Sequence, residues 1–284
     1  MKLLHLKVVL AAVDVHESAV DTLRAARELA NAAGAKLHVI HATPSGTDAT
    51  GVRQLLERSD LDQSDASLEI VAGEPIHVIR SFADKIRADV IVLGEHRERD
   101  AAPRSLGSTA LGVVTNSWAP CLVVSKPLRL PLEQLLVPVD LSDTSRGALV
   151  VGLAWASALR KNERASGEGR SETANLTALF VGAAAGETSS RALEDELARL
   201  RRDAGTWAGV SIRGEVVAGA GDKVPQMIAA YADEHDSDLI VLGTRGLGSN
   251  AVGRLGSVAL GVLRGMDRPI LLVPPAVWES YSSK

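Results

Sequence analysis

Glycines and small hydroxyl residues carry the most specific chemical signal in this chain. The segment "GTRGLGSNAVGRLGS", Gly243 to Ser257, holds five glycines and three serines or threonines and follows directly on the apolar run "DLIVLG". Its spacing is Gly243, two residues, Gly246, nine residues, then Gly256-Ser257. A glycine that ends a strand lets a ligand approach the backbone, and Gly246 permits positive φ. Gly256 and Ser257 open the apolar run "SVALGVLRG", which reads as a helix. The first amides of a helix have no intrahelical partner. Together with the helix dipole and the Ser257 hydroxyl they make an anion site. Three or four charge-assisted hydrogen bonds of about 1.5–3 kcal/mol each offset an association cost of about 4–15 kcal/mol once an adenine is also buried. Micromolar binding of a phosphorylated ligand is the scale this supports. The competing reading is a plain connector.

Two better-known phosphate loops do not fit. Gly246-x-Gly248-x-x-Ala251 satisfies the dinucleotide pattern G-x-G-x-x-G/A, but that fingerprint belongs to the first strand–helix turn of its domain. Here the loop follows the fourth strand. The P-loop pattern G-x-x-x-x-G-K-[ST] is absent from the sequence.

The elements that position the loop repeat along the chain. "ADVIVLGEHR" and "SDLIVLGTRG" are near copies, as are "SLGSTALGVVTNSWAPCLVVS" and "RLGSVALGVLRGMDRPILLVP". Gly94 and Gly243, Gly107 and Gly256, and Pro120 and Pro269 all stand 149 positions apart, whereas Asp14 and Asp140 stand 126 apart, so the second copy has gained 23 residues internally. The excess falls on the polar stretch "RKNERASGEGRSETAN", read as an exposed loop, and on a longer helix "RALEDELARLRRDAG". The proline-bearing "SKPLRLPLEQ" separates the copies and predicts domains over 1–127 and 132–276.

Each copy alternates apolar runs with helical patterns. In the first, "VVLAAVD" precedes "ESAVDTLRAARELANAAG", whose apolar residues recur every three or four positions and whose Gly34 marks the stop. Five strands with crossover helices in each half imply an α/β fold of two tandem domains, each a parallel, doubly wound five-stranded sheet with helices on both faces. Ligands of such sheets sit past the carboxyl ends of the strands at the switch in strand order. If the switch separates the first and fourth strands, Asp140 and the Gly243 loop share one crevice.

The first copy has drifted. It keeps Asp14, Gly94, Gly107 and Ser108, but the second glycine has become Arg97 and the loop reads "GEHRERDAAPRSLGS". An arginine takes positive φ at a cost, and Glu95, Glu98 and Asp100 bring carboxylates to the place of a triphosphate, while Arg97, Arg99 and Arg104 still offer cations. His16, His41 and His96 fall at the same crevice edge beside Asp14. Three imidazoles there could ligate zinc, but they lack any recognised ligand spacing, and solvent-edge histidines are the plainer reading.

Composition excludes several classes. Hydrophobic residues reach 46% with only 3% aromatics, the palette of helix-covered parallel sheets. A formal net charge of −4 leaves no basic surplus for a nucleic-acid backbone. The single cysteine, Cys121, forbids an intrachain disulfide and lies in the apolar run "APCLVVS", which predicts a buried, inert thiol in a reducing compartment. No eighteen-residue apolar run occurs, so neither a membrane span nor a membrane partner is expected, and the expected location is cytoplasmic.

Gly-x2-Gly-x9-Gly-Ser behind "DLIVLG", paired with the early "VPVD", resembles the ATP-binding pattern of the universal stress protein family. The resemblance covers nearly the whole chain as two tandem Rossmann-like (HUP-type) domains, with the intact motif in the second. It implies that Asp140 meets the adenine or ribose beside Pro138 and Val139, and that Val181 flanks adenine through its backbone. It implies further that Gly243, Arg245, Gly246, Gly256, Ser257 and Val258 line the phosphates of ATP, with or without Mg²⁺. For Asp140 the residue-level alternative is a helix N-cap or turn residue, and for Arg245 an exposed loop arginine. The family also implies a stress-response setting and pairing of domains through their last strands, here "CLVVS" with "ILLVP", as an intramolecular pseudo-dimer with a homodimer left open. The leading functional reading is an ATP-binding regulatory protein whose nucleotide tunes conformation or partner binding. A slow ATP-hydrolysing enzyme and a non-nucleotide scaffold or small-ligand carrier are the alternatives.

Overall fold

A computed structural model of the chain describes residues 6–15, 19–43, 50–59, 61, 65–95, 106–160, 173–183, 186–202, 207, 209–246 and 254–282. The first half runs β1 (Val8–Ala12), α1 (Ala19–Ala33), β2 (Lys36–Thr43), α2 (Thr50–Arg58), β3 (Ala66–Ala72), α3 (Pro75–Ile86), β4 (Val90–Gly94), α4 (Ser108–Asn116) and β5 (Cys121–Val124). The second runs β6 (Gln134–Val139), α5 (Asp143–Leu159), β7 (Ala174–Gly182), α6 (Glu187–Arg202), β8 (Val210–Ala218), α7 (Val224–Glu234), β9 (Leu239–Gly243), α8 (Ser257–Gly265) and β10 (Ile270–Val273). A closing helix, α9 (Pro275–Ser282), follows.

Local sequence explains the element ends. In α1 the apolar residues Ala19, Leu23, Ala26 and Ala30 recur on one face and are buried. The helix stops where Gly34 takes φ +63°, a left-handed conformation that costs glycine little. At the start of α3, the Glu74 carboxylate accepts from the amides of Ile76 (3.1 Å) and His77 (2.9 Å), and Pro75 occupies the first helical position, where no N–H is needed. The aspartate before each fourth strand is a clamp. Asp89 accepts from the amides of Lys7 (2.8 Å) and Val8 (2.9 Å), and Asp238 accepts from those of Glu133 (3.0 Å) and Gln134 (2.9 Å). Each carboxylate thus satisfies amides where the chain enters β1 or β6, which ties the first strand to the fourth.

The two five-stranded sheets join into one through their last strands, the intramolecular pairing that the family resemblance implies. The order of the joined sheet is β3-β2-β1-β4-β5-β10-β9-β6-β7-β8, ten strands in one sheet. Pairing is parallel within each half, in the order 3-2-1-4-5 counted along that half, and antiparallel only where β5 meets β10 (Leu271↔Leu122). The last strands would otherwise be edges with unpaired backbone groups, and each satisfies the other. Side chains of alternate strand residues feed two cores. Val9, Val137 and Leu271 lie on one face, Leu10, Leu136 and Leu272 on the other, so both cores run unbroken across the junction. Burying each such aliphatic side chain contributes about 1.5–3 kcal/mol. Ser125 Oγ donates to the Arg268 carbonyl (2.9 Å), and the Lys126–Asp267 ion pair (2.8 Å) adds a polar seam along the join.

Cys121 sits at this seam, 1% exposed, and burial pushes its thiol up to about 12. The insertion in the second half divides as its composition suggests in one part: α6 spans 16 residues against 9 in α2. The rest, over 161–172, lies outside the described residues. Among the described residues no helix is long and apolar enough to cross a membrane.

Candidate functional site

Strand order reverses between β1 and β4 and again between β6 and β9. A crevice opens past the carboxyl ends at each point. The two crevices open to different extents. β1 stays paired with β4 through Ala12↔Leu93, whereas β6 is paired with β9 only at Leu135↔Leu239 and Leu136↔Ile240. Backbone alternation gives the reason. The Gln134 carbonyl accepts from the Asp238 amide, so Gln134, Leu136 and Pro138 turn their polar backbone groups toward β9. Pro138 has no N–H to give. The ladder ends there and the strands part.

The resulting cavity is about 520 Å³, within the roughly 300–1,000 Å³ of small-molecule and cofactor sites. Its wall brings together all ten residues singled out in this half: Pro138, Val139, Asp140, Val181, Gly243, Arg245, Gly246, Gly256, Ser257 and Val258. Val181 comes from the end of β7, Asp140 from the turn after β6, and Ser257 from the first turn of α8. Gly256 is the N-cap of α8 and no side chain caps that helix end. The Gly256 amide donates to the Thr244 carbonyl (2.8 Å), which pins the two ends of the glycine loop together. The amides of Ser257 and Val258 and the dipole of α8 therefore stand at a cavity that Arg245 and Arg254 also line. Residues 247–253 of the loop lie outside the described residues.

One expectation needs correction, and of the two residue-level alternatives for Asp140, N-cap or turn residue, the turn is the one found. Gly246 does not adopt positive φ; the glycines that do are Gly34, Gly73, Gly209 and Gly221 among the described residues. Glycine at 246 leaves room for the Asp140 carboxylate, which a Cβ there would have to displace. Asp140 is not the N-cap of α5 either. That place belongs to Ser142, whose Oγ accepts from the Ser145 amide (3.2 Å). Asp140 Oδ1 instead accepts from the Ser142 amide (3.0 Å), a turn that holds the carboxylate at the cavity wall and against Gly246. Turn residue and cavity residue are one and the same.

The first half carries a cavity at the equivalent place, about 270 Å³, lined by Asp14, His41, Gly94, Glu95, Gly107 and Ser108 among others. Glu95 is 6% exposed and holds the sequence position of Thr244 in the second half; it also lines a small cavity that it shares with Arg268. His41 places Nδ1 2.8 Å from the Val13 carbonyl. Arg97, His16 and His96 lie outside the described residues, so the zinc arrangement is untested by geometry. Among the described residues no group of three or more histidine, cysteine, aspartate or glutamate side chains could hold a metal ion.

The model of the Universal stress protein family matches residues 5–125 and again 131–274. The chain belongs to the universal stress protein family. It carries that family's domain twice, in tandem, with the mostly parallel sheet and two-faced helices described above. It is similar to a universal stress protein of Archaeoglobus fulgidus, 19% identical with a TM-score of 0.64 and covering 95% of this chain and 98% of that one. A functionally unknown protein from Pseudomonas aeruginosa is 13% identical with a TM-score of 0.65, covering 100% of this chain and 99% of that one. At these identities the likeness is one of fold. A universal stress protein of Methanocaldococcus jannaschii is 41% identical over 59 residues, 21% of this chain, and the match spans only 35% of that relative's length.

In this universal stress protein the cavity has walls that spacing alone did not disclose. Leu179 and Leu242 come from β7 and β9, Val224 and Ile228 from α7, and Ser145 from α5. Val224 and Ile228 are four residues apart, one helical turn, so they share a face. Their apolar periodicity was visible, but which face meets the crevice depends on the sheet order. Arg254, two residues before Gly256, carried a readable signal: a cation inside a loop built for anions.

Proposed function

We propose that the chain is an ATP-binding regulatory protein of the stress response, acting in the cytoplasm, with the nucleotide held in the C-terminal cavity. The convergence of Pro138, Val139, Asp140, Val181, Gly243, Arg245, Gly246, Gly256, Ser257 and Val258 on one 520 Å³ cavity is the observation that carries this reading. Aliphatic walls from Val139, Val181, Leu179 and Ile228 suit the faces of a purine, and a carboxylate on the same wall, Asp140, suits a donor of the base or ribose. The uncapped start of α8, with Arg245 and Arg254, suits the phosphates. Any Mg²⁺ rides on the phosphates, because Asp140 is the single carboxylate on the described wall. The same fact supports a binder over a dedicated hydrolase: one carboxylate, anchored in a turn, leaves no second acid to act as general base. Occupancy then tunes conformation or partner choice by favouring the arrangement in which α8, the glycine loop and the turn after β6 close on the ligand.

Denaturing the purified protein and identifying the small molecules released tests this directly. About one equivalent of adenine nucleotide per chain supports the reading. None, together with no uptake of added ATP, overturns it.

A further inference from the structure

The ten-stranded sheet ends in β3 on one side and β8 on the other, while the last strands of the two halves, β5 and β10, already pair with each other. A second copy of the chain must therefore dock somewhere other than along a last strand. β8 is the longer edge, nine residues, "VSIRGEVVA", against seven in β3. It keeps register with β7 from Val210 to Ala218 and has no bulge, proline or lysine, three common guards of an exposed edge. Solvent reaches the strand along its length: none of its nine residues is buried, whereas all five of β9 are. Its two charges, Arg213 and Glu215, are of opposite sign and flank Gly214.

The main chain shows which groups look outward. The Gly209 carbonyl accepts from the Ala174 amide and the Gly219 amide donates to the Gly182 carbonyl, so odd-numbered residues turn their N–H and C=O to β7 and even-numbered ones turn theirs away. The outward amides of Ile212, Gly214 and Val216 meet no acceptor among the described residues. The outward Ile212 carbonyl accepts from Arg201 Nη2 (3.0 Å) and keeps a second lone pair.

Antiparallel pairing of two β8 strands about a two-fold axis at Gly214 sets Arg213 opposite Glu215 of the second copy and Ile212 opposite Val216, and the axis repeats both pairs. Opposite charges then fall on the closely spaced non-hydrogen-bonded positions and β-branched aliphatics on the hydrogen-bonded ones. Moving the axis one residue either way stacks Arg213 on Arg213 or Glu215 on Glu215, so charge selects the register. The equivalent register in β3 sets Ser67 against Glu69 and gains no ion pair. Helix α6 agrees. A Cβ at Gly214 would stand 3.0 Å from both Leu193 and Leu197, so the axis passes near the middle of α6. That helix has Glu187 in its first turn and Arg199, Arg201 and Arg202 in its last, and two antiparallel copies bring acid start toward basic end.

We propose that two copies of this chain associate through their β8 edges, in the register centred on Gly214, and double the ten-stranded sheet. The interface lies one strand from Val181 of the C-terminal cavity, and the association requires no nucleotide.

Sedimentation velocity of the full chain without added nucleotide, from about 1 to 200 µM, should show a monomer–dimer equilibrium. Arg213→Glu and Glu215→Arg should each weaken the dimer about tenfold or more by setting like charges opposite one another. The double swap Arg213→Glu/Glu215→Arg should recover the wild-type dissociation constant within about threefold. Val216→Pro deletes one outward amide without touching the β7 ladder and should abolish the dimer while the chain still unfolds cooperatively. Arg213 Nε also donates to Thr177 (2.9 Å), so if Arg213→Glu fails to fold, Glu215→Arg and Val216→Pro carry the test. Four results overturn the proposal: monomer throughout, which would leave the edge to another partner; a dimer indifferent to Glu215→Arg and Val216→Pro; no recovery in the double swap when all three charge variants fold; or open-ended polymer growth, the mark of β3 pairing with β8.

Discussion

Gly246→Ala is the sharpest perturbation the site offers. An added methyl would collide with the Asp140 carboxylate, and Asp140 cannot simply swing aside, because its Oδ1 is held by the Ser142 amide at 3.0 Å. Breaking that charge-assisted hydrogen bond costs about 1.5–3 kcal/mol. Replacing glycine outside the left-handed region returns about 0.4–1 kcal/mol through the unfolded chain. The net loss is about 1–2 kcal/mol, or roughly 2–8 °C in thermal midpoint for a chain of this size. A displaced carboxylate also enters the cavity, so ATP affinity should fall about tenfold to hundredfold, each tenfold being about 1.4 kcal/mol. The assay is calorimetric titration with ATP beside thermal denaturation of wild type, Gly246→Ala, Asp140→Ala and the double variant. With the carboxylate gone the methyl has room, so Gly246→Ala should cost little stability in the Asp140→Ala background. Gly265→Ala, whose added methyl meets nothing within 4 Å, is the control: ATP affinity should stay at the wild-type value and stability should rise by about 0.4–1 kcal/mol. Equal losses in both backgrounds, or wild-type affinity in Gly246→Ala, would refute the steric argument.

Pro138→Ala restores an N–H facing β9, so the ladder should extend, stability rise by about 0.5–1.5 kcal/mol in urea denaturation, and ATP affinity fall as the crevice narrows. Arg245→Ala and Arg254→Ala should each weaken ATP about three- to tenfold at low salt and less at high salt, where exposed charges are screened; an unchanged salt dependence would contradict their role. With its thiol pushed up to about 12, Cys121 is ionised in about one molecule in ten thousand at pH 8, so a disulfide reagent should leave the native protein untouched and titrate one thiol after denaturation. Asp238→Ala removes the acceptor of two backbone amides and should destabilise the C-terminal half by about 2–3 kcal/mol, read as a shifted urea midpoint.

Much of the architecture was legible in the sequence because local and global signals agree. Apolar spacing in α1 and the stop at Gly34 define a helix before any tertiary contact is known, and strands such as β4 and β9 read as unbroken Val, Ile and Leu runs because both faces are covered. Where long-range pairing decides, the sequence falls silent. That β6 and β9 part after Leu136 follows from which side of β6 Pro138 faces, a matter of register. Gly246 reads as a conformational glycine in isolation and proves to be a spatial one, since Asp140 arrives from a hundred residues earlier. α9 gave no usable signal: eight residues, "PAVWESYS", are too few for a helical period to stand out, and the helix is placed by Trp278 packing close to Gly147 of α5. Glu95 was visible as a misplaced acid; its burial was not.

A crystal structure of the full chain grown with ATP tests the central claim most directly. The account predicts one nucleotide per chain, its phosphates at the amides of Ser257 and Val258 and its base between Val139 and Val181. Density for ATP only beside Gly107 and Ser108, or at neither helix start, would contradict it.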